Sequence, residues 1–224
     1  IFKKISLALP QNTETLKYLK ILGVKKIKFV GNLKYFGQSK KFLDKSTKQK
    51  FKNRLIFCAA STHHNEELFI GKLHKELKSK YKNLLTIIIP RHINRADSII
   101  NGLERININL VTRSSNQKIS KSTDIYIADT YGEASKFYKL SKITFLGGSL
   151  INHGGQNPLE PARMGNYILH GPNVQNFKEV YKMLSKLNIS SKANNINKMK
   201  KIIDRKIGNK RPSKIIKKLN IIGN

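Results

Sequence analysis

Short unbroken apolar runs alternate along the chain with longer segments whose apolar residues fall at helical spacing. Residues 55–60 and 84–89 read as buried strands, the second rich in β-branched residues and stopped by Pro90. Residues 108–112, 124–128, 142–146 and 167–170 read as further strands. Between them, residues 66–80 place Leu68, Phe69, Leu73 and Leu77 on one helical face, and 95–105, 132–140, 158–164 and 177–187 also read as helices. A strand that is apolar throughout is covered on both faces, and strands alternating with helices build a parallel sheet. The pattern predicts an α/β fold, a Rossmann-like doubly wound parallel sheet. Ligands of such a sheet bind beyond the carboxyl ends of its strands.

The flanks differ. Residues 13–22 predict a helix and 27–30 a short strand, and 34–52 read as a basic loop or linker. After Asn188 the chain turns rich in Lys, Asn and Ile, with helical spacing at 196–207 and 212–219. The expected organisation is 1–30 as the end of an interdomain region with the first β/α elements, 31–190 as the ligand-binding domain and 191–224 as basic helices.

Charge adds a question. The 224 residues carry 44 Lys and Arg against 13 Asp and Glu, a net +31. Such an excess attracts polyanions: nucleic acid, phosphorylated ligands or an anionic membrane surface. The joint abundance of Lys, Ile and Asn is also what AT-rich coding produces, and the Lys residues are dispersed. A nucleic-acid-binding module, which would show a clustered basic face, is therefore the less favoured alternative. The single cysteine, Cys58, sits in an apolar run and reads as a small buried hydrophobe; no internal disulfide can form. No apolar run approaches the roughly 20 residues needed to span a bilayer. No signal peptide is evident in 1–10, and a chain beginning with Ile reads as part of a longer protein.

The unusual polar residues fall after the strands: Ser61-Thr62-His63, then Arg91-His92, Asp129-Thr130 and Gly147-Gly148-Ser149. The densest stretch runs from Phe145 to Ala162, where two glycine pairs, Gly147-Gly148 and Gly154-Gly155, bracket a loop between strand and helix. Glycines let backbone N–H groups approach an anion closely. Asn157 before Pro158 suits a helix cap whose amino end faces a phosphate. Glu160, in the first turn, is placed to accept hydrogen bonds from ribose hydroxyls. The plainer reading is a glycine-rich turn and an ordinary capped helix.

Ser61, Thr62 and the acids at 66 and 67 also suit a helix start, with or without a ligand contact through the hydroxyls. His63, His64 and Glu67 could form a metal site on paper, but adjacent histidines do not share a helix face, and no metal site is expected. Arg91 after Pro90 can pair with phosphate or present its planar fork to a base, or be a solvated surface arginine. Asp129 and Thr130, ahead of Gly132 and Glu133, serve equally as ligand contacts or as caps of the next helix.

These motifs, in order, resemble the carboxyl-terminal domain of the bacterial 3-deoxy-D-manno-octulosonic acid (Kdo) transferases of lipid A biosynthesis. The resemblance runs from about residue 10 to about residue 187. It rests on Gly31-Asn32-Leu33-Lys34, Ala59-Ala60-Ser61-Thr62-His63, Pro90-Arg91-His92 with Arg95, and Asp129-Thr130 with Gly132-Glu133 and Phe137-Tyr138. It continues through Gly147-Gly148-Ser149-Leu150, Gly154-Gly155, Asn157-Pro158-Leu159-Glu160-Pro161-Ala162, Gly171-Pro172 and Asn176-Phe177.

The resemblance implies the carboxyl-terminal half of a two-domain GT-B glycosyltransferase that binds CMP-Kdo without a metal or other cofactor. It implies Pro90 and Arg91 against the cytosine, Ser61, Thr62 and Asn157 near the phosphate, and Glu160 at the ribose. Gly147, Gly148 and Ser149 would shape the loop near the sugar, and His63, His92, Asp129, Thr130, Gly132, Glu133, Gly155 and Gln156 are the further donor-binding residues it implies. The amino-terminal half, outside this sequence, would bind the lipid A precursor and supply the catalytic base, so no catalytic residue is expected here. The implied location is the cytoplasmic face of the inner membrane, against its anionic surface, held peripherally or through the amino-terminal part; nucleic acid is not an expected partner. Two positions depart from the family pattern: Gln156 stands where His is usual, and Arg163 where the residue is usually small.

Overall fold

A computed structural model describes residues 2–10, 13–29, 43–209, 216 and 219. Val30, the Gly31–Lys34 motif, the basic stretch as far as residue 42 and most of the helix expected at 212–219 lie outside the described residues. Ile1–Gln38 with Asn220–Asn224 form one compact unit and Ser39–Leu219 a second. In the first, helix α1 (Thr13–Ile21) follows a 3₁₀ turn at Phe2–Lys4, and the expected strand near 27 is a single parallel bridge between Ala8 and Ile27.

The second unit opens with a departure from the expected loop. Helix α2 (Lys45–Lys50) is nucleated by Asp44, whose carboxylate accepts the N–H of Thr47 at 2.7 Å. Phe51, just beyond it, packs edge-on against Tyr126 and Phe137 at ring distances of 5.4 and 6.1 Å. Apolar periodicity could not reveal so short and polar a helix, because its start lies in a side-chain cap and its anchor in one aromatic residue.

Strand β1 (Leu55–Thr62) leads through α3 (Glu66–Lys78) to β2 (Leu84–Pro90), and α4 (Ala96–Glu104) to β3 (Leu110–Thr112) and β4 (Ile125–Ile127). Helix α5 (Ala134–Leu140) precedes β5 (Ile143–Leu146), α6 (Leu159–Arg163) precedes β6 (Tyr167–His170), and α7 (Lys178–Lys186) precedes β7 (Ser190–Lys192) and α8 (Ile196–Lys206). The described strands form one sheet, parallel at every pairing, in the order β3-β4-β2-β1-β5-β6-β7. The doubly wound α/β expectation is met. No helix among the described residues is long and apolar enough to cross a membrane.

The core follows the apolar runs. Phe57, Ile88, Ile125 and Phe145 are fully or almost fully buried between the sheet and its helices, each contributing roughly 1.5–3 kcal/mol by leaving water. The core also runs past residue 190. Strand β7, unmarked by any apolar run, pairs with β6, and Met199 and Ile203 of α8 are wholly buried in the same cluster as Leu73 and Leu77. The packing therefore does not divide at the expected boundary of 190 and 191.

From β1 the chain moves outward to β2 on one side, and from β5 outward to β6 on the other. The carboxyl ends of β1 and β5 are thus the topological switch point, where a sheet of this kind opens its ligand crevice.

Candidate functional site

Strand β1 ends irregularly. Ser61 adopts φ 53 and forms a bulge between Ala60 and Thr62. The backbone stays tied across the edge: Arg91 N donates to Thr62 O at 3.0 Å and Gly147 N to Ala60 O at 2.9 Å. Thr62 is fully buried and its hydroxyl has no hydrogen-bond partner among the described residues. Neither Ser61 nor Thr62 caps α3, whose first turn is preceded by Asn65 at φ 69 with no side-chain cap bond. The helix-start reading of those hydroxyls is corrected accordingly.

Glu66 occupies the switch point. It is 1% exposed. Its Oε2 accepts the N–H groups of His63 at 3.0 Å and Gly148 at 2.7 Å, and its Oε1 those of Ser149 at 3.1 Å and Leu150 at 2.9 Å. This corrects the reading of Gly147-Gly148-Ser149 as a phosphate-facing loop. Its N–H donors already serve Glu66 or, for Gly147, the end of β1; Gly155 N donates to Gly148 O at 2.8 Å. The Ser149 hydroxyl is likewise internal, donating to Leu146 O and accepting from Gly171 N. Glycine at 147 answers a different need. A Cβ there would lie 2.3 Å from Ser61 O and 2.7 Å from Glu66 Oε2.

The edge around this clasp is built from histidines. The His63 ring lies 4.2 Å from that of His153 and 5.9 Å from that of His92. Burial, then the adjoining His153 and His92 and the charges of Arg95 and Arg91, push His63 down to about 4. It is therefore neutral at physiological pH. Gln156 Nε2 reaches His63 Nε2 at 3.4 Å. As an amide N–H can only donate, that nitrogen is the acceptor and the imidazole proton sits on Nδ1. Asn157 Oδ1 accepts the N–H of Leu159 at 3.0 Å, but the cap position of the five-residue helix α6 is Pro158 and no side-chain cap bond is made there, so the expected cap at Asn157 is corrected to a turn contact one residue ahead of the helix. Glu160 is exposed in the first turn, and partial desolvation raises its carboxyl above the ordinary value. Arg91 and His92 are exposed at the end of β2, and Pro90 is buried beside Thr62.

A second group lies after β3 and β4. Asp129 accepts the N–H of Ser114 at 2.9 Å and also its hydroxyl. Thr130 donates to Glu133 at 2.6 Å, beyond the turn at Gly132, and Glu133 also receives Lys136 at 3.0 Å and Arg113 at 3.1 Å. Burial would raise the Glu133 carboxyl, but these bonds and charges hold it below its ordinary value. Asp129 and Thr130 thus brace two loops instead of capping α5, which has no side-chain cap bond. Beside them a cavity of about 280 Å³ is lined by Lys50, Arg113, Tyr126 and Lys136 among others.

With this geometry in view, comparison with known proteins decides the family. The 3-deoxy-D-manno-octulosonic acid transferase of Haemophilus influenzae is 35% identical over 190 residues, covering 82% of this chain and 44% of that protein. The protein of the same name from Rickettsia felis is 33% identical over 186 residues, covering 81% and 40%. The crystal structure of the C-terminal CMP-Kdo binding domain of WaaA from Acinetobacter baumannii is 31% identical with a TM-score of 0.64, over 70% of this chain and 82% of that one. The chain belongs to the Kdo transferase family. No protein-family model matches it. It spans less than half the length of the curated relatives it matches.

Within this Kdo transferase chain the structure brings Ser61, Thr62, His63, Gly147, Gly148, Gly155 and Gln156 together at the switch point, through the bonds above. Asp129, Thr130 and Glu133 bond instead to Ser114, Arg113 and Lys136. Sequence reasoning missed Glu66 and His153. Glu66 looks like an ordinary first-turn acid, and only the register of β1 against β5 turns it toward the loop at 148. Of His63, His64 and Glu67, the last is taken by Arg95, at 2.9 and 3.1 Å, and His64 is exposed. Among the described residues no group of three His, Cys, Asp or Glu could hold a metal ion. Arg163 Nε donates to Leu219 O at 3.1 Å.

Proposed function

We propose that this chain is the donor-binding domain of a glycosyltransferase that moves Kdo from CMP-Kdo to a lipid A precursor. The observation that carries this reading is the likeness to the Acinetobacter baumannii domain, 31% identical and covered over 82% of its length. That protein is a CMP-Kdo binding domain by name.

In this reading Arg91, exposed at the end of β2 beside Pro90 and His92, presents its planar fork to the cytosine. Glu160 accepts hydrogen bonds from the ribose hydroxyls. Ser61 and Asn157 meet the phosphate, with the buried Thr62 next to Ser61, and Gly155 and Gln156 border the sugar. The braced group of Asp129, Thr130, Gly132 and Glu133 stiffens the base end of the crevice. Transfer requires deprotonation of the acceptor hydroxyl and neutralisation of the leaving phosphate. Basic side chains of this chain serve the second, while the base for the first belongs to the amino-terminal half of the whole protein. No metal or other cofactor enters the scheme.

The acceptor is a phosphorylated lipid, so the whole enzyme works at the cytoplasmic face of the inner membrane. The basic stretches at 34–52 and 198–218 hold it to anionic lipid at about 1 kcal/mol for each residue near the surface. Lys198, Lys201 and Arg205 are exposed on α8, which supports this. Equal sedimentation with anionic and neutral vesicles would remove the membrane part of the reading. The nucleic-acid alternative is not favoured, since the relatives that match are sugar transferases.

Calorimetry tests the donor site. The chain should bind CMP, and both Arg91→Ala and Glu160→Ala should weaken binding by about tenfold, the loss expected for one good polar contact. CMP affinity untouched by both changes would sink the assignment. The isolated chain should transfer no Kdo.

A further inference from the structure

The two loops that follow β1 and β5 share one carboxylate. Three consecutive N–H groups, at Gly148, Ser149 and Leu150, converge on Glu66, and a fourth comes from His63. Successive N–H groups turned toward one point form the concavity with which many proteins grip phosphate. Here the anion is part of the chain. The carboxylate is almost wholly shielded from water, and the lone pairs of both oxygens are directed at backbone donors. It is sealed on the β1 side by the close approach of Gly147, where even a Cβ would stand 2.7 Å from Oε2.

We propose that Glu66 is a positioning residue for donor binding: an internal anion that sets the loop after β5 in its ligand-ready shape and fixes His63 beside it. The proposal rests on the donor-binding reading given above. Three contacts extend the hold. The His63 backbone is bound to Glu66 directly, and its ring then stacks on His153 and receives the Gln156 amide. Gly148, held at φ 63 by the same carboxylate, offers its carbonyl to Gly155 N. One carboxylate therefore orders the end of β1, the first glycine pair, the second glycine pair and the imidazole cluster. The donor's phosphate meets a finished edge and takes its bonds from other groups. Glu67, the next residue, turns away to Arg95 of the turn before α4 and provides the control.

Two measurements test this. Amide hydrogen exchange on the chain without ligand should find Gly148, Ser149 and Leu150 protected like the amides of β1, and CMP should leave that protection unchanged. Exchange at loop rates without CMP, with protection arising only on its addition, would show that these donors belong to the ligand and would overturn the proposal. Calorimetry is the second measurement, at a temperature where circular dichroism shows each variant folded. Glu66→Gln, which sets an N–H₂ against backbone donors, should weaken CMP binding by about tenfold or more, and Glu67→Gln by less than about threefold. Folded Glu66→Gln with the affinity of the parent chain would refute the positioning role. Should Glu66→Gln fail to fold, hydrogen exchange on the parent chain decides alone. Absence of CMP binding in the parent chain would overturn the donor reading, and with it the ligand part of this proposal, while the exchange pattern would still report the internal anion.

Discussion

The side-chain amide of Gln156 donates to the imidazole of His63 at 3.4 Å. The pairing keeps a neutral partner on a neutral ring. Gln156→His would put a third titratable ring against His63 and His153. Those neighbours disfavour its charge, so it should titrate below the ordinary value of about 6.5. Once protonated it would add a positive charge to the proposed donor crevice, which favours an anionic ligand. The variant should therefore gain CMP affinity more steeply than the parent chain as pH falls from about 7 to about 5.5. Calorimetry at the two pH values checks this, and parallel slopes would refute it.

Arg95 and Glu67 form a bidentate pair in which the carboxylate side chain is 5% exposed. Removing the arginine leaves a buried charge without its partner, at a cost of about 3 kcal/mol. Arg95→Ala should lower stability by that amount in urea denaturation. Arg95→Met combined with Glu67→Leu should lose much less, because the desolvated charge goes with its partner. A double variant as unstable as the single would mean that the pair contributes through packing alone.

Two glycines should answer oppositely to alanine. A Cβ at Gly147 would collide with Ser61 O, Thr62 Cα and Glu66 Oε2, two of them backbone atoms that cannot swing aside. Gly147→Ala should cost about 2 kcal/mol or more, since β1 and β5 must separate to admit it. Gly102, inside α4, has nothing within 4 Å of its added Cβ. Gly102→Ala should stabilise the chain by about 0.5–1 kcal/mol through helix propensity. Thermal melts distinguish the two signs.

The strands were legible because burial on both faces leaves an unbroken apolar run such as 84–89, and the ligand edge because polar residues follow those runs. The clasp at Glu66 was not legible. It depends on β1 lying beside β5, a neighbour relation with no local trace, and it reverses the meaning of the glycine loop: donors that seemed open in sequence are spent on an internal carboxylate. Asp129 gave a similar surprise, since its partner Ser114 lies fifteen residues upstream and meets it only because β3 and β4 pair. Helix α2 and strand β7 escaped for a simpler reason: each is short and polar, and each is fixed by a cap or a neighbouring strand.

His63 also predicts how stability varies with pH. Its folded pKa, about 4, lies below the ordinary value of 6.5. The unfolded chain thus takes up the proton first, and the contribution of this residue is complete above about 6.5 and is lost as pH falls toward 4. Burial lowers His74 and His170 in the same direction. Glu66 acts oppositely: burial raises its carboxyl, so its neutral form gains ground in the fold as pH falls. The chain should lose stability between about pH 7 and pH 5, and His63→Gln should flatten that loss by on the order of 1 kcal/mol after solvent screening. Urea midpoints at both pH values provide the check, and an unchanged slope in the variant would place the titration elsewhere.

Met199 and Ile203 project from α8 into the cluster that includes Leu73 and Leu77 of α3, and all four are wholly buried. The Tyr81 hydroxyl adds a 2.7 Å bond to Asp204 on the same helix. Truncating either apolar side chain removes buried contacts and leaves a cavity, a combination that costs about 2–5 kcal/mol for Met or Ile to Ala. A chain ending at 190 loses both side chains along with β7, and so exposes one edge of β6 and one face of α3. Met199→Ala should shift the urea midpoint by an amount in that range, and the chain ending at 190 should unfold without a cooperative transition. A cooperative, CMP-binding fragment 31–190 would mean that α8 is an appendage and that the core is complete without it.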